Sequence, residues 1–249
     1  FAGVAPQAGL SIAQVTVLTT MMLVAHSLPV ELQISQKAGS RFFAMAILRI
    51  SGALFLGWIL YEIYMVSGYL QEPNHSIWTP SQADSSWIGW CVGEVRNIFY
   101  IFTIILFILA IMRILERFGI MTRFNRMLEP LLRGLGMSPK AAPITVIGMT
   151  LGLSYGGALI IQEARSGNLE CKDIFFSLAL MGLCHGLVED TLVMMVLGGH
   201  LSGILLARLV SSLLIIYLLG KGVRYIPETT FYRFLFRKNE KISAYLLNI

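Results

Sequence analysis

Five ionisable side chains, His26, Glu31, His185, Glu189 and Asp190, sit in stretches that are otherwise strongly apolar, and Arg49 and Arg208 share that setting. Charge at bilayer depth is costly, so such groups pair with one another or line a wet cavity on a solute or proton path. Imidazole can relay a proton, hydrogen-bond a polar solute or ligate a metal. His185 and Glu189 stand at i, i+4, which on a continuous helix places them on one face. Two ligands are too few for a metal centre, so neither a metal nor a cofactor is assigned. No activated nucleophile is evident, and no Walker A, GxSxG, HExxH or dinucleotide fingerprint occurs; the expectation is a protein that is not an enzyme.

These residues recur in register. Laying residues 9–60 on 168–219 without a gap puts His26 on His185, Glu31 on Asp190, Gly39 on Gly198 and Arg49 on Arg208. Most other matches are Leu or Met and carry no weight, but His, acid, Gly and Arg are scarce in membrane segments. Arg49 lies ten residues beyond Gly39, and Arg208 ten beyond Gly198. If each glycine turns a helical hairpin, residues equidistant from it share a depth of about 15 Å. Each arginine is then level with an acid, and Arg49–Glu31 and Arg208–Asp190 (or Glu189) can form structural ion pairs. Pro29 should break the first hairpin and free carbonyls upstream of itself.

The elements that position these groups are membrane helices. Hydrophobic residues make up 56% of the 249 and charged residues 13%, about half the charge of a soluble domain, and mean hydropathy is +0.71. Apolar segments fall at about 14–38, 42–70, 88–112, 141–161, 174–197 and 200–220. The net charge of +5 gathers in 113–140 and 221–241, as the positive-inside rule describes for cytoplasmic segments, and does not indicate nucleic acid. Residues 71–87 contain no Lys or Arg and read as an outer loop with interfacial tryptophans. The 113–133 stretch alternates apolar and basic residues at helical period, fitting a cytoplasmic amphipathic helix on the membrane surface.

Six full crossings would place the basic tail outside. The segment 141–161 is therefore expected to return to its own side as a re-entrant hairpin broken at Gly152, Gly156 and Gly157, a geometry tolerated only where protein or a wet cavity satisfies the freed backbone. Ser154 and Tyr155, at that break, could contact a solute; packing by small residues explains them equally well. Crossing parity then makes the two copies inverted. The second is preceded by a span, a surface helix and the hairpin, whereas the first has only nine residues before it. The matching elements are absent from this sequence, or another subunit of a homo- or hetero-oligomer supplies them.

The run Leu128–Gly136 (LEPLLRGLG), followed by Ser138–Ala142 (SPKAA) and the Gly-rich Gly148–Gly157, resembles the nucleoside recognition Gate domain family. That family includes spore maturation proteins A and B, and its domain recurs in ferrous iron and concentrative nucleoside transporters. The resemblance is best over 128–220, with 10–60 as a truncated second copy. It maps the family's hairpin glycines onto Gly152, Gly156 and Gly157 and implies nucleoside binding; iron-ligand cysteines do not carry over, because no Cys stands at the Gly-rich break.

The expected architecture is an all-α, multi-pass integral protein of the bacterial inner membrane, built of inverted repeats with a Gly-broken re-entrant hairpin and helical hairpins. Residues 1–87 hold the first, N-terminally incomplete repeat and the outer loop, 88–222 the second repeat, and 223–249 a basic cytoplasmic tail. The expected function is ion-coupled transport of a small polar, nucleoside-like solute or a cation. The site is expected to be lined by His26, Glu31, His185, Glu189, Asp190, Ser154 and Tyr155, with Arg49 and Arg208 holding the acids. A non-transporting scaffold or partner subunit, with purely structural charges, is the alternative.

Overall fold

The computed structural model describes residues 9–74 and 86–237, apart from the side chain of Ser154. The expected outer loop therefore lies outside the described residues from 75 to 85, and the basic tail from 238 onward. Among the described residues the chain is helical, without a sheet. Four helical stretches are long and apolar enough to cross a membrane: Ile12–Lys37, Phe42–Ser67, Trp87–Arg117 and Ser202–Tyr225.

The first of these is discontinuous. Helix α1 (Ile12–Ala25) starts at Ser11, whose hydroxyl accepts from the Gln14 amide while the Gln14 side chain accepts from the Ser11 amide. This reciprocal cap satisfies two of the donors that a helix start leaves free. Thr16, Thr19 and Thr20 donate their hydroxyls to carbonyls at i−4, which settles those protons within the helix, and Thr16 Oγ1 also accepts from the His200 amide at 2.9 Å. The helix stops at Ala25, four residues before Pro29, because proline has no amide hydrogen and its ring collides with the carbonyl at i−4. Ser27 turns in the left-handed region at φ +51°, and α2 (Leu28–Lys37) comes next.

Gly39 (φ +110°) then reverses the chain into α3 (Phe42–Ser67). Helix α4 (Trp87–Arg117) buries only Asn97, Ile108 and Met112, and the rest of its apolar surface suits contact with lipid. Gly119 (φ +67°) separates it from α5 (Ile120–Gly134). The amphipathic stretch expected over 113–133 is thus divided: its first residues prolong α4, and α5 turns Met121, Leu128 and Leu132 to the core.

Helix α6 (Ala141–Leu151) ends at Gly152, whose backbone (φ +94°, ψ 159°) no L-residue adopts comfortably, and α7 (Leu153–Ser166) leaves in a new direction. The two helices fold back on each other so closely that a Cβ at Gly156 would fall on the Gly148 backbone. The next apolar segment is also broken. Helix α8 (Cys171–Leu183) and helix α9 (Glu189–Val196) are separated by Cys184–Val188, with Gly186 at φ +56°. Gly198 (φ +92°) leads to a π-helical turn (Ser202–Ala207) that continues as α10 (Arg208–Tyr225), and α11 (Glu228–Phe234) lies in the tail.

Contacts at the two ends fix how the halves lie. At one end, the first amides of α1 donate to carbonyls after α3 (Ile12 to Glu72, 3.0 Å; Ala13 to Leu70, 2.8 Å). Asn74 there donates to the carbonyl of Leu197, beside the Gly198 turn, at 3.5 Å. At the other end, the Gly39 turn meets the tail: Arg237 donates to the Gly39 carbonyl at 2.8 Å, and Arg41 to the Leu235 carbonyl at 2.9 Å. Phe231 of that tail packs edge-on against Phe175 near the start of α8, with ring centroids 5.7 Å apart. Helix α1 thus begins where α9 turns, and α8 begins where α2 turns.

Candidate site where the two broken helices meet

The proline break leaves carbonyls in the first half without helical donors, and one side chain takes up two of them. Arg49, reaching across from α3, donates through Nε to the Val24 carbonyl (3.0 Å) and through Nη2 to the His26 carbonyl (2.9 Å). Its Nη1 is ion-paired with Oε2 of Glu31. Arg49 is 2% exposed and Glu31 5%, so the charges are removed from solvent together, the condition under which a buried pair is tolerated. The stem of Arg49 crosses α8 at Gly182, where an added Cβ would come within 3.3 Å of Arg49 Cδ.

Each histidine is oriented by its own helix end. His26 donates through Nδ1 to the Leu23 carbonyl (3.0 Å), and His185 through Nδ1 to the Met181 carbonyl (2.8 Å). A carbonyl only accepts, so each Nδ1 carries a proton, and in the neutral ring Nε2 is left as a lone pair. The two Nε2 atoms face each other at 3.2 Å, although the residues are 159 positions apart. Oε1 of Glu31, the oxygen that Arg49 leaves free, lies 3.0 Å from His185 Nε2 and 3.7 Å from His26 Nε2. Oδ2 of Asp190 approaches His26 Nε2 to 4.0 Å and accepts no hydrogen bond from the described residues. Gly186 permits that approach, since a Cβ there would collide with the Asp190 carboxylate.

The remaining candidates lie elsewhere. Glu189 is exposed, and among the described residues it enters no ion pair. It does not share a helix face with His185, because α8 ends at Leu183 and α9 begins at Glu189; the i, i+4 relation presupposed a continuity that the Gly186 break removes. Tyr155 is exposed and makes none of the contacts that hold the cluster. The side chain of Ser154 lies outside the described residues. Gly152 forms the break, Gly156 faces Gly148, and Gly157 faces Ile34 of α2.

Arg208 departs from the expected pairing with Asp190 or Glu189. It is fully buried, yet none of its three guanidinium nitrogens has a hydrogen-bonding partner among the described residues. Its neighbours include the Cys184 thiol, and its charge acts on Asp190, but no ion pair closes. Nothing in the residue spacing pointed to this asymmetry, nor to the contact of Glu31 with the histidine of the other half.

Residues 98–218 match the family described as Gate, nucleoside recognition. The chain carries a Gate domain. It is also a distant homologue of the uncharacterized membrane protein YvoD of Bacillus subtilis (strain 168), 27% identical over 210 residues that cover 83% of this chain and 67% of the relative. No solved structure matches. The Gate match spans α5 to α9, most of α4 and most of α10, and so includes His185, Asp190 and Arg208. His26, Glu31 and Arg49 fall outside it and reach the domain only through the fold.

Proposed function

We propose that this Gate-domain membrane protein is a transporter that moves a small polar solute or a cation through the cluster between the two broken helices. The observation that carries the reading is the meeting of His26 and His185 at 3.2 Å, each at the interruption of a helix. Broken helices placing polar groups in an apolar setting recur in transporters, because a substrate site is what makes the unsatisfied backbone tolerable. The breaks and turns obey the same shift of 159 as the side chains: Ser27 and Gly186 are both left-handed, as are Gly39 and Gly198. With the end contacts, this supports two inverted copies with the site at their junction. The fold-back at Gly152 supports α6–α7 as the re-entrant hairpin that crossing parity requires.

The basic segments would face the cytoplasm of a bacterial cell. A nucleoside-like solute is suggested by the family description, a cation by the acceptor-rich cluster, and proton or sodium coupling by the histidines and acids. No catalytic role is proposed. The scaffold reading is favoured by the closed Arg49–Glu31 pair, but it requires every buried charge to be paired, and Arg208 is not.

The test is uptake into proteoliposomes of radiolabelled nucleosides and of mono- and divalent cations. Uptake of one class, abolished by His185→Ala, is the expected result. Failure to move any of them, or uptake that His185→Ala leaves unchanged, would sink the assignment.

A further inference from the structure

We infer that the cluster binds a divalent transition-metal ion of the zinc class, with His26 Nε2, His185 Nε2 and Glu31 Oε1 as ligands and Asp190 as the fourth. The inference rests on the reading of this cluster as the transport site and names its occupant.

With both rings neutral, three acceptor atoms converge here with no donor between them. The separations are 3.2, 3.0 and 3.7 Å. Tetrahedral zinc with ligands at about 2.0–2.1 Å holds its donor atoms about 3.3 Å apart. The three observed separations average the same, and a point about 1.9 Å from all three atoms exists in their plane. A metal therefore fits after a displacement of under about 1 Å from that plane. A single proton could satisfy only one of these contacts at full strength, whereas a metal satisfies all three.

The surroundings match what metal ligands need. Each imidazole donates its other nitrogen to a backbone carbonyl, and Arg49 holds the far oxygen of Glu31, the outer contacts that orient ligands and fix their tautomer. Asp190 Oδ2, without a hydrogen bond and 4.0 Å from His26 Nε2, lies outside the group of three and would move in to become the fourth ligand. Two imidazoles select against magnesium and calcium, which prefer all-oxygen shells, and the lack of a sulfur ligand disfavours copper(I).

The experiment uses the full chain, stripped of metal, in lipid nanodiscs. Zn²⁺ is titrated against a fluorescent chelator, and Co²⁺ is added separately to read coordination from its visible spectrum. One Zn²⁺ per chain and an intense tetrahedral Co²⁺ band are expected. His26→Gln, which leaves the Arg49–Glu31 pair intact, and His185→Gln should each weaken Zn²⁺ by about 100-fold or more, and Asp190→Asn by roughly tenfold. Absence of a Zn²⁺ site in the wild type, or undiminished binding in the double histidine variant, overturns the inference. If the histidine variants fail to fold, the wild-type Co²⁺ spectrum decides: a weak octahedral band, or none, overturns it. Uptake separates the two readings. Zn²⁺ bound but neither Zn²⁺ nor nucleoside transported keeps the metal site and removes the transport reading. Nucleoside uptake indifferent to chelators, with no Zn²⁺ site, removes the metal and keeps transport.

Discussion

The first hairpin, α1 to α3, and its counterpart, α8 to α10, carry the same residue types in the same register and handle their arginines in opposite ways. Arg49 satisfies two carbonyls and the Glu31 carboxylate, while the guanidinium of Arg208, equally buried, closes no hydrogen bond among the described residues. The backbone differs between the two halves as well. Between Gly39 and Arg49 the chain enters a regular α-helix, but between Gly198 and Arg208 it passes through the π-helical turn at Ser202–Ala207. Such a turn amounts to one inserted residue and swings the downstream side chains about 100° around the helix axis. Arg208 closes no ion pair with Asp190, whose Oδ2 lies 4.0 Å from His26 Nε2. One half is locked, and the other keeps an acid available.

That contrast has consequences for stability. Arg49→Met should cost about 3–5 kcal/mol, because it leaves Glu31 buried without compensation, whereas Arg208→Met should leave stability unchanged or improve it. Thermal unfolding in a defined detergent reads both, and equal losses at the two arginines would erase the distinction. A smaller difference is expected at the breaks. Gly186→Ala should cost about 1–3 kcal/mol through left-handed strain and collision with Asp190, while Ser27→Gly, relieving the same conformation in the other half, should gain roughly 1 kcal/mol. A loss at Ser27→Gly would mean that its side chain does more than tolerate the turn. The smallest effect belongs to Glu189→Gln, which should change stability by less than about 0.5 kcal/mol and leave Zn²⁺ binding as it is. Weakened binding would return Glu189 to the site.

Much of the local structure was legible because its causes are local. Pro29 interrupts a helix whatever surrounds it, Gly152 permits a backbone that other residues resist, and an apolar run of membrane length forms a helix wherever it lies. The segment 174–197 was misleading for the same reason. It is apolar over most of its length and has no proline, and only Gly186 hinted at the break that separates His185 from Glu189. Tyr155 and Ser154 were candidates because they stand at a glycine break, yet a break dictates a change of direction and not which side chain faces a site.

By itself the sequence determined a helical membrane chain, the positions of its main interruptions and a register in which His, acid, Gly and Arg recur. Each of these is a product of side-chain chemistry and helix geometry over a few turns. Only the tertiary structure decided that Glu31 reaches the histidine of the other half, that Arg49 is paired while Arg208 is not, and that three acceptor atoms converge. Those outcomes depend on how helices far apart in the chain pack and rotate against one another.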